Sequence, residues 1–553
     1  MSIGSPAQGA ELGLDILSRY VCNTFDEALA NSDPDYRRTK FPQLASRGDM
    51  RPFDFIVVGG GTFGAAVAEH LWFRATGRSE RILVLEAGPL LLSGHSQNFP
   101  SLGLGREIWG VPWRDPGNLG YGGSGLAYCV GGRSLFWGGW SPRLLGTETG
   151  TWPIAVMADL NAATLANGDD GYFRQAGRQI GVTETNDYIF GDLHRAIRRR
   201  LYDALTTPVV PRGPITDAMP LAAQPPAPPV EILPAAPVPP TLATLSELAA
   251  LLGEQLPVPL PAGPAIAALA DEYRNRLKLE APLAVQARPQ HAGFFPMNKF
   301  STAPLLIKAA RTAYSEAPGD DVRKRLMVVP RCHVTRLSVV ADANGQRRVN
   351  AVQTEHGPVP VSPDCKVIIA LGTVESTRLA LLSFGPDGRM GTNLMAHLRS
   401  NIGLRIPRAS LEPPVMTQAL QTSALFLKGL HTFGDGSLGH FHLQITASGL
   451  DNISTNAEAE LFQAVPDVEF LNQHLHATDS HIVITIRAIG EMQSRNANSN
   501  VTLDQNPAMI DFGERRAFVN LQTTAKDDEL WNAMDRTSED VAAAFANGQK
   551  STL

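Results

Sequence analysis

A glycine turn between two short apolar segments is the strongest constraint on what this chain can fold into. Phe55–Val58 leads into Gly59-Gly60-Gly61-Thr62-Phe63-Gly64, a helix of small residues is predicted next, and Ile82–Leu85 ends at Glu86. Strand, glycine turn, helix and strand in this order form a βαβ unit, which implies a parallel sheet. The predicted fold class is therefore α/β, with a Rossmann-like domain.

The turn matches G-x-G-x-x-G, a pattern that predicts dinucleotide binding in this context. Gly59 permits the tight turn, Gly61 lets the backbone approach a pyrophosphate, and Gly64 lets the helix pack closely on the strand. Free N–H groups at the start of the helix favour phosphate, and Glu86 is placed to accept hydrogen bonds from a ribose. The alternative is a glycine-rich turn in an unrelated α/β domain. The pattern alone leaves both FAD and NAD open.

A second glycine block lies at Gly131–Trp140, where double glycines flank an aromatic cluster. Glycines at both ends of such a cluster indicate a close backbone approach to a flat ligand. A glycine turn beside a core aromatic is the alternative at this point.

With these two blocks the chain resembles the glucose-methanol-choline (GMC) family of FAD-dependent oxidoreductases. Two later blocks strengthen the resemblance. Cys332–Leu337 is similar to the strand whose valine backbone holds the adenine, and Ile368–Ser376 is similar to the strand, turn and helix beside the flavin. The second of these continues into Gly391–His397, which is close to the family's G-x-N-L-x-x-H.

The resemblance implies FAD as cofactor and an alcohol or sugar as the small-molecule substrate, oxidised at a CH–OH group by hydride transfer to flavin N5. It implies a discontinuous FAD-binding domain over 51–150 and 300–400, after an N-terminal helical extension over 1–50. A substrate domain built on an antiparallel sheet would take 151–299 and 401–553. The implied cofactor-binding residues are Gly59, Gly61, Thr62, Phe63, Gly64, Glu86, Gly131, Gly132, Ser134, Trp137, Gly138, Val334 and Gly372.

Two positions in the second glycine block depart from the family pattern. Some members carry a histidine that bonds covalently to the flavin at the position of Phe136. Because carbon cannot replace the imidazole nitrogen in that bond, the FAD is expected to be non-covalent. Most other members carry asparagine where this chain has Trp137, so the usual polar contact to the flavin is changed.

The family's catalytic histidine is not found. In the family it lies in a C-terminal segment, whereas the last histidine of this chain is His481 and the sequence ends at Leu553. Weak substitutes are His440 and His442, which alternate along a predicted strand from His440 to Ser448. Either one of these residues or His481 is the base, or a second chain supplies the catalytic segment, or the protein is a truncated or split flavoprotein that is not catalytic alone.

The composition excludes several classes of protein. The chain has 553 residues, 43% of them hydrophobic, and a net charge of -6, so neither disorder nor nucleic-acid binding is expected. Its four cysteines form no C-x-x-C pair, which argues against a disulfide framework or a zinc site. Since no run of about 18 apolar residues occurs, no membrane association is predicted and a cytoplasmic location is expected.

A proline-rich insertion is predicted at about 205–265, because 16 of the 41 prolines lie between Pro208 and Pro264. Proline at this density works against helices and sheet ladders. Within the insertion, Thr244-x-x-Glu247 has the pattern of a capping box for one short helix. The insertion is interpreted as a surface loop region, with a polyproline ligand for a partner domain as the alternative.

Overall fold

The computed structural model describes most of the chain. The described residues are 21–44, 52–74, 77, 79–91, 108–116, 125–182, 189, 191–207, 214–225, 240–284, 299–318, 323–341, 345–412, 420–449 and 471–546. Of the N-terminal helical extension predicted over 1–50, residues 21–44 are described. The spacing of apolar residues predicts a helix over 11–30; residues 11–20 lie outside the described part, and within it a helix begins at Phe25. The helix stop predicted at Asn547-Gly548 also lies outside it.

Elements are numbered in chain order. The helices are α1 Phe25–Ser32, α2 Pro34–Lys40, α3 Thr62–Arg74, α4 Ile154–Asn161, α5 Tyr172–Ile180, α6 Asp192–Thr206, α7 Leu242–Leu252, α8 Pro264–Leu277, α9 Ala303–Glu316, α10 Thr373–Phe384, α11 Leu471–His474 and α12 Ala525–Phe545. The strands are β1 Phe55–Val58, β2 Ile82–Leu85, β3 Trp109–Gly110, β4 Trp113–Arg114, β5 Leu126–Ala127, β6 Leu326–Val329, β7 Val334–Ala341, β8 Arg347–Thr354, β9 Gly357–Pro360, β10 Lys366–Ile369, β11 His397–Pro407, β12 Gln421–Thr432, β13 Leu438–Gly449, β14 His481–Glu491, β15 Asn500–Leu503, β16 Ile510–Asp511, β17 Glu514–Arg515 and β18 Ala517–Asn520.

The chain divides into two compact units, and the fold is mixed α/β. The first unit comprises Met1–Phe136, Ser301–Met395 and Ser494–Gln522. The second comprises Trp137–Phe300, Ala396–Gln493 and Thr523–Leu553. Residues 494–522, which the sequence assigned to a substrate domain, belong to the first unit because β15 and β18 pair with each other and β18 pairs with β4.

A four-stranded parallel sheet in the order β10-β1-β2-β6 forms the centre of the first unit. The βαβ prediction for β1, α3 and β2 is confirmed. Both faces of the sheet are covered, so its strands carry apolar side chains at nearly every position. Helices α3 and α9 cover one face, packing residues such as Trp72 and Leu306 against Val57 and Val84. The β7-β8-β9 sheet covers the other face through Leu337 and Val352.

The second unit contains the antiparallel sheet β11-β14-β13-β12. The alternation of polar and apolar residues predicts strands over His440–Ser448 and His481–Ala488, and both are confirmed as parts of β13 and β14. Helix α12 packs on one face of this sheet, where Trp531 donates from Nε1 to Ser400 Oγ at 2.9 Å. Glycine at position 490 leaves room for this helix, because a Cβ there would lie 2.5 Å from the sulfur of Met534.

The described part of the proline-rich insertion contains helix α7, and α8 begins where the insertion ends. Helices α7 and α8 pack together through a small apolar core of their own, which includes Leu248, Leu252, Tyr273 and Leu277. A helix at α7 was predicted, but its capping residue was placed wrongly. Thr241 caps the helix, accepting a hydrogen bond from Thr244 N at 3.2 Å, and Thr244 itself lies inside the first turn.

A buried ionic network ties helix α6 to the end of α8. Glu280 has a fully buried side chain, forms an ion pair with Arg198 and accepts from His194 Nε2 at 2.9 Å. His194 Nδ1 also lies 2.9 Å from the hydroxyl of Ser423 on β12. Burial alone would raise the pKa of Glu280, but the charges and hydrogen bonds of His194 and Arg198 outweigh it and lower the pKa to about 2.

Replacing Glu280 by glutamine should strongly destabilise the second unit. The substitution removes the closest counter-ion of the buried Arg198, whose other carboxylate partner, Glu254, lies 3.8 Å away, and breaking such a buried pair costs about 3–5 kcal/mol. Chemical denaturation followed by circular dichroism measures the change in the free energy of unfolding. Glu272→Gln is the matched control, since Glu272 pairs with arginines at a partly exposed position and its loss should cost less than about 1 kcal/mol. Equal losses in the two variants would contradict the prediction.

The same network predicts a pH dependence. Because the folded-state pKa of Glu280 lies below the ordinary value of about 4.3, its carboxylate stabilises the fold fully above that value. The contribution is lost as the pH falls from about 4.3 to 2. In Glu280→Gln the free energy of unfolding should therefore fall less steeply over this range than in the wild type. Parallel denaturation series at several pH values would measure both slopes.

Candidate cofactor-binding site

The glycine turn after β1 brings backbone segments closer together than any side chain would allow. A Cβ on Gly64 would lie 1.8 Å from the carbonyl oxygen of Gly59, so the first turn of α3 rests directly on the end of β1. Gly59 itself has φ +98°, and a Cβ there would lie 2.6 Å from Ala370 O, beyond the end of β10. The roles predicted for these two glycines in turning and packing agree with this geometry.

The start of α3 presents unused hydrogen-bond donors. The first helical bond is donated by Ala65 N to Gly61 O at 2.9 Å. Within the described residues, the N–H groups of Gly61, Thr62, Phe63 and Gly64 donate to no protein acceptor. Four free N–H groups and the positive end of the helix dipole together favour an anion. The ring of Phe63 is 73% exposed beside them.

Glu86 is a buried carboxylate that holds the glycine turn. Its Oε2 accepts from Gly60 N at 2.7 Å, and its Oε1 accepts from Gly88 N at 2.8 Å. Burial raises the pKa of Glu86 to about 7, and hydrogen bonds from the backbone of Gly88, Gly60 and Ala87 limit the rise. Each carboxylate oxygen can accept a second hydrogen bond, so the side chain retains capacity for a ligand hydroxyl.

The second glycine block lies against the first, although about 70 residues separate them in sequence. Gly131 N donates to Gly60 O at 2.8 Å, and Ser134 N donates to the Thr62 hydroxyl at 3.1 Å. Gly131 and Gly132 both have positive φ, and a Cβ on Gly132 would lie 2.9 Å from the Cα of Gly61. The structure thus brings together predicted site residues from both blocks around the start of α3.

Thr302 completes this arrangement and was missed in the sequence. Its N–H donates to Ser134 Oγ at 3.0 Å, and the two hydroxyl oxygens lie 3.2 Å apart. Ser134 Oγ also donates to Gly131 O at 2.6 Å. A threonine followed by Ala303-Pro304 is a signature of a helix start, which could have located α9 but not its contact with Ser134.

Residues of the two later blocks end at the same edge of the parallel sheet. Cys332 N donates to Glu86 O at 2.8 Å, which places the chain leading to Val334 beside Glu86. Ala370 N donates to Val58 O at 2.8 Å, and Gly372, with φ +78°, then starts α10. The carboxyl edge of a parallel sheet is where ligands of open α/β folds bind.

The residue before Val334, His333, has a buried imidazole. Its ring stacks on Phe512 with centroids 3.9 Å apart, and neither ring nitrogen has a hydrogen-bond partner among the described residues. Burial, together with the charge of Arg378, lowers the pKa of His333 to about 4. The imidazole is therefore neutral at physiological pH.

Three residues of the second block do not join the turn. Phe136 packs its ring on Trp109, with centroids 5.3 Å apart. Trp137 and Gly138 belong to the second unit, where the indole of Trp137 donates to Phe300 O at 2.6 Å. The only polar hydrogen of the Trp137 side chain is therefore already used within the protein.

In the second unit, the polar face of β13 is buried instead of solvated. Along this face, His440, Gln444, Thr446 and Ser448 are buried and His442 is partly exposed. The alternating sequence alone allows this polar face either to be solvated or to line a pocket, and the burial of four of its five residues contradicts a solvated face. At one end of the face, the ring of His474 satisfies the hydroxyls of Ser448 and Thr446.

The described part of the chain contains neither a helix long and apolar enough to cross a bilayer nor a cluster of ligands suited to a metal ion.

Comparison with known proteins finds similarity only among solved structures. No protein-family model matches the chain, and no curated protein matches it. The chain is similar to pyridoxine 4-oxidase from Mesorbium loti, with 14% identity and a TM-score of 0.40 over 90% of this chain and 82% of that one. It is also similar to a formate oxidase, with 14% identity, a TM-score of 0.37 and the same coverage. Because both scores lie below 0.5, we base the function on the chain's own residues.

Replacing Gly132 by alanine should separate the two glycine blocks. The added methyl meets Gly61 and also strains a left-handed backbone, so we expect a loss of about 1–2 kcal/mol from strain and a further 1–3 kcal/mol from overpacking. Gly345→Ala is the matched control, because Gly345 also has positive φ but has no atom within 4 Å of the added methyl. Thermal unfolding of both variants checks the difference. Equal shifts in Tm would show that the contact between the blocks does not exist.

Proposed function

We propose that the chain binds FAD and is an oxidoreductase acting on the CH–OH group of an alcohol or sugar. The observation that carries the proposal is the set of free N–H groups at Gly61–Gly64, enclosed by Glu86 and by Gly131–Ser134. Helix start, buried carboxylate and second glycine block all lie at the carboxyl edge of one parallel sheet. The motif resemblance independently assigns the same residues to FAD.

The residues present fit this cofactor. The free N–H groups of Gly61, Thr62, Phe63 and Gly64 would bind the pyrophosphate, and the absence of a Cβ at Gly61 leaves room for it to approach. Glu86 would accept from the ribose hydroxyls. By resemblance, the backbone of Val334 would hold the adenine, while Gly131, Gly132, Ser134 and Gly372 would lie along the flavin.

The bound flavin would supply the oxidising power by accepting a hydride from the carbinol carbon. The protein's own residues would bind the phosphates, orient the ring and accept the hydroxyl proton of the substrate.

Phe136 occupies the position where covalent members of the family carry histidine, and its ring packs on Trp109, so we infer non-covalent attachment of the flavin. Denaturing the loaded protein with acid should release all the flavin into the supernatant.

Visible spectroscopy tests the function directly. The purified chain, mixed with FAD and desalted, should keep a flavin absorbance band that bleaches anaerobically with some member of a panel of primary alcohols and sugars. A folded chain that retains no flavin contradicts the proposal. Bleaching by NADH alone would favour a nicotinamide enzyme, and retained flavin without bleaching by any substrate would favour a flavoprotein that is not catalytic alone.

The affinity for FAD should depend on Glu86 and on pH. Ribose hydroxyls donate to the ionised carboxylate, and the pKa of Glu86 is raised to about 7, so binding should tighten as the pH rises from about 6 to 8. Glu86→Gln should weaken binding about tenfold or more, since one buried hydrogen bond to a charged group contributes about 1.5–3 kcal/mol. It should also remove most of the pH dependence. Isothermal titration calorimetry measures both effects.

Glu316→Gln serves as the control, because Glu316 lies at the end of α9 in a partly exposed ion pair with Arg325. Its affinity for FAD should match that of the wild type at each pH. If the affinity for FAD depended on pH in the same way in the wild type and in Glu86→Gln, Glu86 would not be part of the binding site. The roles proposed for the other residues would stand.

A further inference from the structure

A buried histidine of the first unit lies next to the candidate cofactor site and lacks a hydrogen-bond partner. His333 is 7% exposed, and within the described residues neither of its ring nitrogens makes a hydrogen bond. An imidazole in this state is costly unless a ligand supplies the partner, because buried polar groups are otherwise hydrogen-bonded. Glu86, where a ribose is expected, is close in the fold, since Cys332 N, one residue before His333, donates to Glu86 O at 2.8 Å.

The register of β7 and β8 turns backbone groups beside His333 towards the outer edge of their sheet. Glu355 N donates to His333 O at 3.0 Å, so these two residues form a hydrogen-bonded pair. Hydrogen-bonded pairs alternate with non-hydrogen-bonded ones in an antiparallel ladder. The next pair, Val334 with Thr354, is therefore of the second kind, and the N–H and C=O of Val334 point away from β8. This geometry suits the adenine-holding role that the resemblance implies for Val334.

The hairpin of β16 and β17 fixes the plane of the imidazole. Its two-residue loop, Phe512-Gly513, has positive φ at both positions, as in a type I′ turn. Asparagine, aspartate or glycine normally occupies the first of these positions, so a phenylalanine is strained there. Its ring stacks on that of His333, with centroids 3.9 Å apart and an angle of 12° between the planes. The strained residue thus places a flat surface against the unpartnered ring.

Contacts with two neighbouring elements hold this hairpin in place. Arg378 of α10 donates from Nη1 to Arg515 O at 3.3 Å. Arg336 of β7 forms an ion pair with Glu514 at 3.5 Å. Burial, together with the charge of Arg378, lowers the pKa of His333, so the imidazole is neutral and has one donor and one acceptor nitrogen. A neutral ring held in a fixed plane is suited to bond the edge of a heterocycle.

We propose that His333 recognises the adenine base of the cofactor through a hydrogen bond from its ring, and that Phe512 is the positioning residue of that ring. The inference rests on the proposed function. Adenine carries an amino group that donates and ring nitrogens that accept, and a neutral imidazole complements either kind of group. With the pyrophosphate at the start of α3 and the ribose at Glu86, the base would lie beyond the ribose, towards the start of β7.

The affinity for nucleotides and the stability of the ligand-free chain together test this assignment. His333→Phe keeps an aromatic ring for the stack on Phe512 but removes both nitrogens. Its melting temperature without ligand should be at least that of the wild type, because two unpartnered buried nitrogens are lost. Its affinity for FAD, measured by isothermal titration calorimetry, should nevertheless fall about tenfold, as expected for one lost hydrogen bond. ADP, which has the same base and a pyrophosphate without the flavin, should lose affinity by the same factor.

His356→Phe is the matched control. His356 lies between β8 and β9 of the same unit, its side chain is 46% exposed, and its Nε2 lies 2.8 Å from Arg331 O. This histidine is already hydrogen-bonded within the protein, so its replacement should not raise the melting temperature. The affinities for FAD and ADP should equal those of the wild type.

Phe512→Asn tests the positioning role separately. Asparagine suits the first position of a type I′ turn, so the hairpin should form at least as well, but His333 loses the stacked ring. The affinities for FAD and ADP should fall severalfold. Because Phe512 acts through His333, the double variant should bind no more weakly than His333→Phe alone. Fully additive losses in the double variant would overturn the role of Phe512.

The remaining outcomes concern His333 itself. An affinity of His333→Phe for FAD within about twofold of the wild type would overturn its assignment. A lower melting temperature would also do so, because the imidazole would then be satisfied within the fold. A loss for FAD without a matching loss for ADP would place the defect at the flavin, and a wild type that binds FAD but not ADP would show that the base adds nothing. Failure of the wild type to bind FAD is a separate result, seen before any variant is made, and it would overturn the proposed function itself.

Discussion

The candidate site depends on backbone segments that touch without side chains between them. Gly64 rests on the carbonyl of Gly59, and Gly132 rests on Gly61, at distances that a single methyl group would prevent. These contacts fix the start of α3 at the edge of the parallel sheet, where its N–H groups remain free. They also hold the second glycine block over the first. Without them, neither the free donors nor the hydroxyl network of Thr62, Ser134 and Thr302 would have a defined place.

The buried carboxylate of Glu86 stabilises these contacts between backbone segments. A carboxylate removed from water is expensive, and the pKa of about 7 reflects that cost. The N–H groups of Gly60 and Gly88 offset part of it, and in return the carboxylate fixes the glycine turn. A ligand that donates further hydrogen bonds would favour the charged form. The Glu86 carboxylate therefore stabilises the glycine turn, and a bound ligand would change its protonation.

Local patterns predicted the elements well, but they could not predict which elements meet. The apolar runs at Phe55–Val58 and Ile82–Leu85 define strands because every side chain there except that of Phe55 is buried. The pairing of β1 with β10, some 300 residues later, and the contact of Thr302 with Ser134 depend on tertiary packing. The cap at Thr241 was missed because Thr244-x-x-Glu247 matches the capping-box pattern, whereas the residue three positions after Thr241 is a threonine, and only the backbone geometry shows that the helix begins at Thr241. The burial of the polar face of β13 could not be predicted either. Alternation of polar and apolar residues separates the two faces of a strand, but it does not say what covers each face.

The two ends of the polar face of β13 differ in how far their side chains are hydrogen-bonded. At the Ser448 end, hydroxyls and His474 satisfy one another, and such a closed network contributes rigidity. At the His440 end, a carboxylate lies 3.7 Å from the imidazole, and none of the described residues makes a hydrogen bond to the ring. Both ends lie on the same strand and carry the same kinds of side chain, so burial alone does not distinguish them. The unsatisfied end is where a ligand would gain most from binding, because the cost of burying the imidazole has already been met by the fold.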